Sequence, residues 1–558
     1  MVRSEFVTVT HKRKYLLALL LILALGLFLR LWRLDYGQEL PYLAHTDEPT
    51  QYNPAIRIIK ESDWNPHFFN YPSLTIYIDT LVFYGAYGVG KLTGTYTSLQ
   101  DLQTIRTAQM AVGRVGNPEL LLLGRATTAV MGTATIVLVY ALARRLSRRP
   151  WAGLLAALVL AISMPHVRLS HYMTVDVIAT FFAVACVTGC TLAIGRGQGR
   201  YLWLAALCGG LAASSKYNYA VLAVPVTLAC LYESSVDWGR RLLRLVACGL
   251  VFCLAFVFTS PYILLDWENA RQGIERELEH YAQGHLGITG NSFVWYTRYL
   301  WRANVFYLLF GLLGLGAALK RRWRAALPLV AATVVYAWLI GRQAVHFDRN
   351  VLPVLVWLTA GVGIAADALV AWLPERLRDW QVTLVRWPIR PLPVLLALLA
   401  LLPSLWVLPP LFTAGGPSGK ARAQAWFDRA KADPALNRQL KSLKIGGEAY
   451  TVYLDPQVYD SHYQSTVTRE EYGLLGYRAL GYDLVLLGSG MFARFYENPG
   501  VYADEVAVYD AFFNFPNVRT FEGPIDPLEF RDDGGGQVYV VFLSEQGRRF
   551  REAMEAGE

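Results

Sequence analysis

The sequence predicts an α-helical, polytopic membrane protein with a small C-terminal α/β or α+β domain outside the membrane. Three observations predict it. The chain is 54% hydrophobic and only 17% charged, too apolar for an ordinary soluble protein. Its apolar residues gather in runs of about twenty, the length that crosses a hydrocarbon core about 30 Å thick. From Gly415 onward these runs stop, and charged stretches alternate with short strand-like ones, TVYLD, YDLVLLGSG and QVYVVFLS.

The first run, 15–34, follows the basic HKRK of His11–Lys14 and has no small-residue cleavage site before LWRLDYGQ, so it reads as a retained signal-anchor. Further crossings are expected at 120–143, 151–167, 176–195, 201–215, 217–233, 242–262, 297–319, 324–341, 350–373 and 391–412, about eleven in all. This register gathers the basic clusters on one side: HKRK, Arg144–Arg149, Arg196 with Arg200, Arg240–Arg244, Lys320–Arg324 and Arg376–Arg390. By the positive-inside rule that side, with the N-terminus, is cytoplasmic. The scheme requires 71–94 to lie at the interface rather than cross, in keeping with its polar Ser73, Thr75, Asp79 and Thr80.

The extracytoplasmic side then holds a first loop at 35–119, a loop at 266–296 and everything after Phe412. The chain divides into a transmembrane domain, 1–412, and a soluble domain, 413–558. Within 266–296, WENARQGIERELEHYA places Trp267, Ala270, Ile274, Leu278 and Tyr281 on one stripe, the pattern of a helix resting on the membrane surface. The net charge of +9 sits in clusters between apolar runs and not on one soluble face, which argues against nucleic acid. The six cysteines, Cys186, Cys190, Cys208, Cys230, Cys248 and Cys253, all fall in expected helices and read as small core residues.

Carboxylates at a membrane entrance are costly unless solvated or functional. HTDEPTQYN puts Asp47 and Glu48 beyond the first crossing, SHYMTVD puts Asp176 at the mouth of the fourth, and SPYILLD puts Asp266 at the end of the seventh. Cations converge on the same side: Arg168, Arg342, His346 and Arg349, with Lys216 interrupting two apolar runs. A carboxylate able to take a proton, beside cations able to hold phosphate, suits displacement of a phosphate leaving group by an activated hydroxyl. Asp47, Glu48 and Asp176 are also the oxygen ligands a divalent cation would use, if one binds.

The order of these features resembles the GT-C superfamily of membrane glycosyltransferases, in particular the protein O-mannosyltransferase-like group that includes the bacterial lipid A aminoarabinose transferases. The residues carrying it are HTDEPTQYN, FFNYPSLTIYI with Tyr71, RATTAVMGTATIVLVYALARRL, SHYMTVD, GLAASSKYNYAVLAVP, SPYILLD and FDRNVLPVL, spread over 45–354. The resemblance implies Asp47 as the catalytic base with Glu48 beside it, Asp176 as a second acidic position, and a polyprenyl-phosphate sugar donor attacked with inversion. By position and charge, Lys216 and Arg349 are assigned to the donor phosphate. Arg168, His171, Tyr217, His346, Asp266 and Tyr71 are the remaining candidates for substrate binding. The chain departs from the family pattern in having Asn350, where an Arg-Tyr pair is usual, and in its C-terminal domain.

The expected function is transfer of a sugar from a polyprenyl-phosphate carrier to a glycan, lipid or protein hydroxyl at the extracytoplasmic face of the cell membrane. The rival class is a transporter or flippase, which commonly shows internal repeats and helices broken near the midplane. Here the polar groups sit at one face, which favours surface chemistry.

Overall fold

The computed structural model describes residues 2–36, 45–108, 112–147, 149–196, 199–233, 237–374, 417–449, 451–468, 470–524 and 536–557, with short pieces of 382–412. The membrane part runs through α1 (Val2–Leu31), α2 (Glu48–Glu61), α3 (Leu74–Thr93), α4 (Pro118–Ser147), α5 (Pro150–Ala161), α6 (Met164–Leu169), α7 (Val175–Arg196), α8 (Arg200–Ala213), α9 (Ala223–Tyr232), α10 (Trp238–Thr259), α11 (Tyr262–Leu265), α12 (Trp267–Gln283), α13 (Ser292–Gly341) and α14 (Leu352–Trp372). Among the described residues, 6 stretches are long and apolar enough to cross a membrane: Arg13–Leu31, Pro118–Ser147, Val175–Ile194, Trp238–Thr259, Val305–Gly341 and Asp348–Trp372. The protein is a multi-pass membrane protein.

Helix length alone does not reproduce the expected set of about eleven crossings. The crossing at 151–167 divides into α5 and α6, because Pro165 has no N–H to continue a helix and is accommodated in the first turn of α6. The runs at 201–215 and 217–233 are short apolar helices separated by a 3-10 turn, Tyr217–Leu222. The run at 391–412 and the basic stretch 376–390 lie almost wholly outside the described residues.

The two crossings expected at 297–319 and 324–341 form one uninterrupted helical run, α13, of 50 residues. A straight helix of that length would part its ends by about 75 Å. Instead Ser292 Oγ donates to the carbonyl of Gln343 at 2.6 Å, so the run doubles back on itself. The far end of this hairpin carries Arg321, 3.1 Å from Asp367, and Arg322, whose guanidinium donates to the Arg145 carbonyl at 2.8 Å. The clusters at 144–149 and 320–324 therefore meet at one end of the bundle.

Helix α14 forms the centre, with every residue from Leu352 to Ala366 buried. It approaches α13 so closely that a Cβ on Gly314 would lie 1.9 Å from the carbonyl oxygen of Gly361, the small-residue contact that lets membrane helices pack backbone to backbone. At the rim, α10 turns Leu243, Leu250, Leu254 and Phe258 outward, as a lipid-facing helix does. Five of the cysteines are buried as expected, but Cys253 is exposed on this same rim.

The segment 71–94, expected not to cross, contains α3, which is not among the six long apolar stretches. Its start is tied to the bundle by Ser73 N–H donating to Ser260 Oγ at 2.8 Å and Leu74 N–H to the Ser214 carbonyl at 3.1 Å. Its Phe83 packs against Tyr52 of α2 in a cluster with Leu120 and Leu121 at the start of α4.

Beyond Gly415 a five-stranded sheet has the order 460–464, 444–448, 484–488, 537–542, 518–522, the first three strands parallel and the others antiparallel to their neighbours. Its central strand alternates as a two-sided strand should. Leu484 and Leu486 face Trp426, Phe427 and Phe550, while Val485 and Leu487 face Tyr477, Phe495 and Phe512. TVYLD, expected as a strand, is instead a loop whose amides are taken by side chains: Tyr453 N–H by Gln424 and Leu454 N–H by Tyr463.

Candidate active site

The end of the bundle opposite the arginine clusters gathers charged side chains from separate segments. The turn Asp348–Val351 is a 3-10 turn, in which successive residues point about 120° apart. Its three polar residues accordingly reach three different partners. Asp348 pairs with Arg168. Arg349 Nη2 lies 3.3 Å from Asp47 Oδ2. Asn350 Oδ1 accepts from Lys216 Nζ at 2.9 Å.

Lys216 is held in extended backbone just before the turn at Tyr217, so its side chain leaves both helices and enters this end of the bundle. Its ammonium also donates to Asp176 Oδ1 at 2.8 Å, in the first turn of α7. Both side chains are 4% exposed. Burial alone would lower the lysine pKa, but Asp176 outweighs it and holds the ammonium charged well above the ordinary lysine range.

Asp47 precedes α2 and keeps 23% of its side chain exposed, the most open carboxylate of the group. Its N–H donates to His45 Nδ1 at 3.0 Å and its carbonyl accepts from Thr50 Oγ1 at 2.6 Å, which sets the backbone. Burial would raise its pKa, yet the Arg349 guanidinium, with His45 and Lys216 behind it, holds the carboxyl below its usual range. Asp47 is therefore ionised and can accept a hydrogen bond from a hydroxyl.

Around these pairs stand groups that sequence reasoning missed. Asn350 is one. Tyr281, on α12, receives a hydrogen bond from Asn350 Nδ2 at 3.4 Å, bringing a phenol to the place where the chain has asparagine rather than tyrosine. Glu277 lies one helical turn earlier on α12 and is close enough for its ionisation to be coupled to Lys216 and Asp47; burial raises its pKa. The spacing of Glu277 and Tyr281 in ELEHYA was the available signal, since residues four apart share a helix face. Tyr71 lies beside the pair: the Lys216 ammonium sits 6.0 Å from its ring centre, and burial, then Asp47, pushes its phenol pKa well up.

Several expected site residues are committed elsewhere. Glu48 is fully buried and bound at both oxygens by Arg125, at 2.7 and 2.8 Å, with Met173 N–H adding a third bond. It anchors α2 to α4 and does not open to substrate. Arg168, a candidate for substrate binding, pairs with Asp348 of the turn before α14. The His171 ring is wedged between the carbonyls of Val167 and Trp32 at 2.8 and 2.9 Å, and holds backbone rather than lining a pocket. Asp266 accepts from Asn65 and Asn269 in a separate polar recess beside His67. Tyr217 donates to the Phe69 carbonyl at 3.0 Å. His346 stacks on Trp295 at 4.7 Å beside Ser292, and burial pushes its pKa down to about 4.

The oxygen set Asp47, Glu48 and Asp176 does not converge on one point, because each carboxylate faces its own cation. Among the described residues no group of three or more His, Cys, Asp or Glu side chains is arranged to hold a metal ion.

Residues 121–265 match the family model described as dolichyl-phosphate-mannose-protein mannosyltransferase. No curated protein matches the chain. Among solved structures, the Archaeoglobus fulgidus oligosaccharyltransferase in its apo form is similar at TM-score 0.50 and 13% identity, over 91% of this chain and 73% of that one. The same protein, AglB, in complex with an inhibitory peptide and a dolichol-phosphate gives the same figures, TM-score 0.50, 13% identity, 91% and 73%. ArnT from Cupriavidus metallidurans in the apo state matches at TM-score 0.49 and 12% identity, over 94% of this chain and 97% of that one. With its membrane helices and its charged end, this chain thus carries a mannosyltransferase-like segment at 121–265 within a fold similar to that of the oligosaccharyltransferase.

Proposed function

We propose that this protein is an inverting glycosyltransferase that moves a sugar from a polyprenyl-phosphate donor to an acceptor hydroxyl at the extracytoplasmic face of the membrane. The observation that carries the reading is the open, ionised Asp47 facing Arg349 beside the Lys216–Asp176 pair. Asp47 takes the proton of the acceptor hydroxyl as its oxygen bonds to the anomeric carbon. The bond from that carbon to the phosphate oxygen breaks, and the electron pair leaves with the lipid phosphate. Arg349 and Lys216 offset the charge that develops there. The binding of dolichol-phosphate by the oligosaccharyltransferase of similar fold supports a lipid-phosphate donor.

The test is transfer of radiolabelled sugar from polyprenyl-phosphate donors to native membrane acceptors by purified protein in lipid. Asp47→Asn keeps the shape and removes the base, so transfer is expected to fall by about 10²–10⁴-fold with folding nearly unchanged. Undiminished transfer by the folded variant overturns the assignment of Asp47.

A further inference from the structure

The C-terminal segment meets the loop beside the site at Arg494. Arg494 lies on the helix Ser489–Tyr496, which follows the strand Leu484–Gly488. Its Nη2 donates to the Gly490 carbonyl at 2.8 Å, which holds the guanidinium in place on its own helix. Its Nη1 lies 3.2 Å from His285 Nε2, in the loop that joins α12 to α13. The loop backbone rests on the arginine stem: at Gly287, with φ +80°, an added Cβ would sit 2.3 Å from Arg494 Cδ. The Tyr502 hydroxyl bonds the Gly287 backbone as well.

From His285 the contacts run on to the charged cluster. Its ring packs edge-on against Phe347 at 5.6 Å and against His280 at 5.2 Å. The Arg349 guanidinium also lies against Phe347, 4.2 Å from its ring centre. Arg349 in turn meets Asp47. The same loop closes a small core of Ile288, Tyr281, Val345 and Phe347, and Ala344 N–H donates to the Tyr281 carbonyl at 2.9 Å. A planar guanidinium stacked on a ring keeps its orientation only while the ring keeps its place.

We infer that Arg494 is a positioning residue: through His285 and Phe347 it sets the orientation of Arg349, so the C-terminal segment takes part in binding the donor phosphate. This rests on the reading of Arg349 as a phosphate ligand. The C-terminal segment thereby acts as a clamp on the 284–291 loop, and a site whose loop is released binds lipid phosphate more weakly while keeping its base.

The experiment uses the full chain in lipid nanodiscs, with Arg494→Ala, Arg494→Lys and, from the loop side, Gly287→Val. Two quantities are read: amide hydrogen exchange of 284–291, with no ligand present, and affinity for undecaprenyl phosphate. Arg494→Ala and Gly287→Val are expected to speed exchange in the loop by about tenfold while exchange in the strands of the C-terminal segment stays as in wild type. Both are expected to weaken undecaprenyl phosphate binding by about tenfold, with Arg494→Lys between them and wild type because it keeps the charge and loses the fork. Unchanged loop exchange overturns the clamp. Faster exchange with undiminished affinity overturns its bearing on Arg349. Wild-type protein that binds no polyprenyl phosphate overturns the donor reading instead, a distinct result because the exchange measurement needs no ligand.

Discussion

Arg349 Nη2 stands 3.3 Å from Asp47 Oδ2, so the guanidinium that would hold the donor phosphate also holds the carboxylate that would act as base. The arginine favours the ionised form of Asp47. Arg349→Gln removes that bias, and the Asp47 pKa rises. Because the base works ionised, the acidic limb of the pH profile of transfer is expected to move to higher pH, with donor KM raised about tenfold. A profile that keeps its acidic limb in the variant would separate the two residues functionally.

Lys216 and Asp176 form a buried pair, and removing one partner leaves the other charge without compensation. Lys216→Met alone is expected to destabilise the protein by about 3–5 kcal/mol, and the double variant with Asp176→Asn by clearly less. Thermal unfolding in detergent compares the single and double variants. Additive losses would mean the pair carries no coupling.

Glu48 separates structure from chemistry. Glu48→Gln strands Arg125 in the interior and is expected to cost about 3–5 kcal/mol, seen as low yield and a lowered melting temperature. The surviving folded fraction is expected to transfer sugar at a near wild-type rate per molecule, unlike Asp47→Asn. A stable but inactive Glu48→Gln protein would return Glu48 to the reaction.

In the C-terminal five-stranded segment Glu448 is fully buried between Tyr509 OH, at 2.7 Å, and Gly488 N–H, at 2.9 Å. Burial pushes its carboxyl up to about 8 from an ordinary 4.5. The folded state then holds a proton that the unfolded chain releases. This contribution to stability is complete below the ordinary value and is lost as pH rises through about 8. Melting of this segment is expected to fall between pH 5 and 9 in wild type and to flatten in that range in Glu448→Gln. Parallel slopes would place the pH dependence elsewhere.

Composition and run length were enough to read a helical membrane part and the change of character after Gly415, though not where its helices break or join, and the structure gathers Asp47, Asp176, Lys216 and Arg349 at one end. What escaped was partner choice. Asp47 and Glu48 are neighbours in sequence, but at the start of a helix adjacent side chains diverge by about 100°, so one faces the site and the other the interior. Arg125, alone in an apolar run, was the trace of the buried partner. The stripe on α12 divides between two surroundings for a related reason. Ala270, Gly273 and Tyr281 face the protein, while Trp267 and Leu278 are 53% and 65% exposed. A helix at an interface has two non-polar directions, towards protein and towards lipid, and periodicity alone does not say which residues take which.

The cation that meets Asp47 comes from far along the chain, on the turn before α14, and so does Asp348, the counter-charge of Arg168. During synthesis Asp47 and Arg168 are therefore made well before their mates. Asp47 and Arg168 lack their final partners until residues 348 and 349 have been translated, whereas the Glu48–Arg125 and Asp176–Lys216 pairs are complete by residue 216. The site therefore completes itself late in synthesis, when the turn Asp348–Val351 joins residues made long before it.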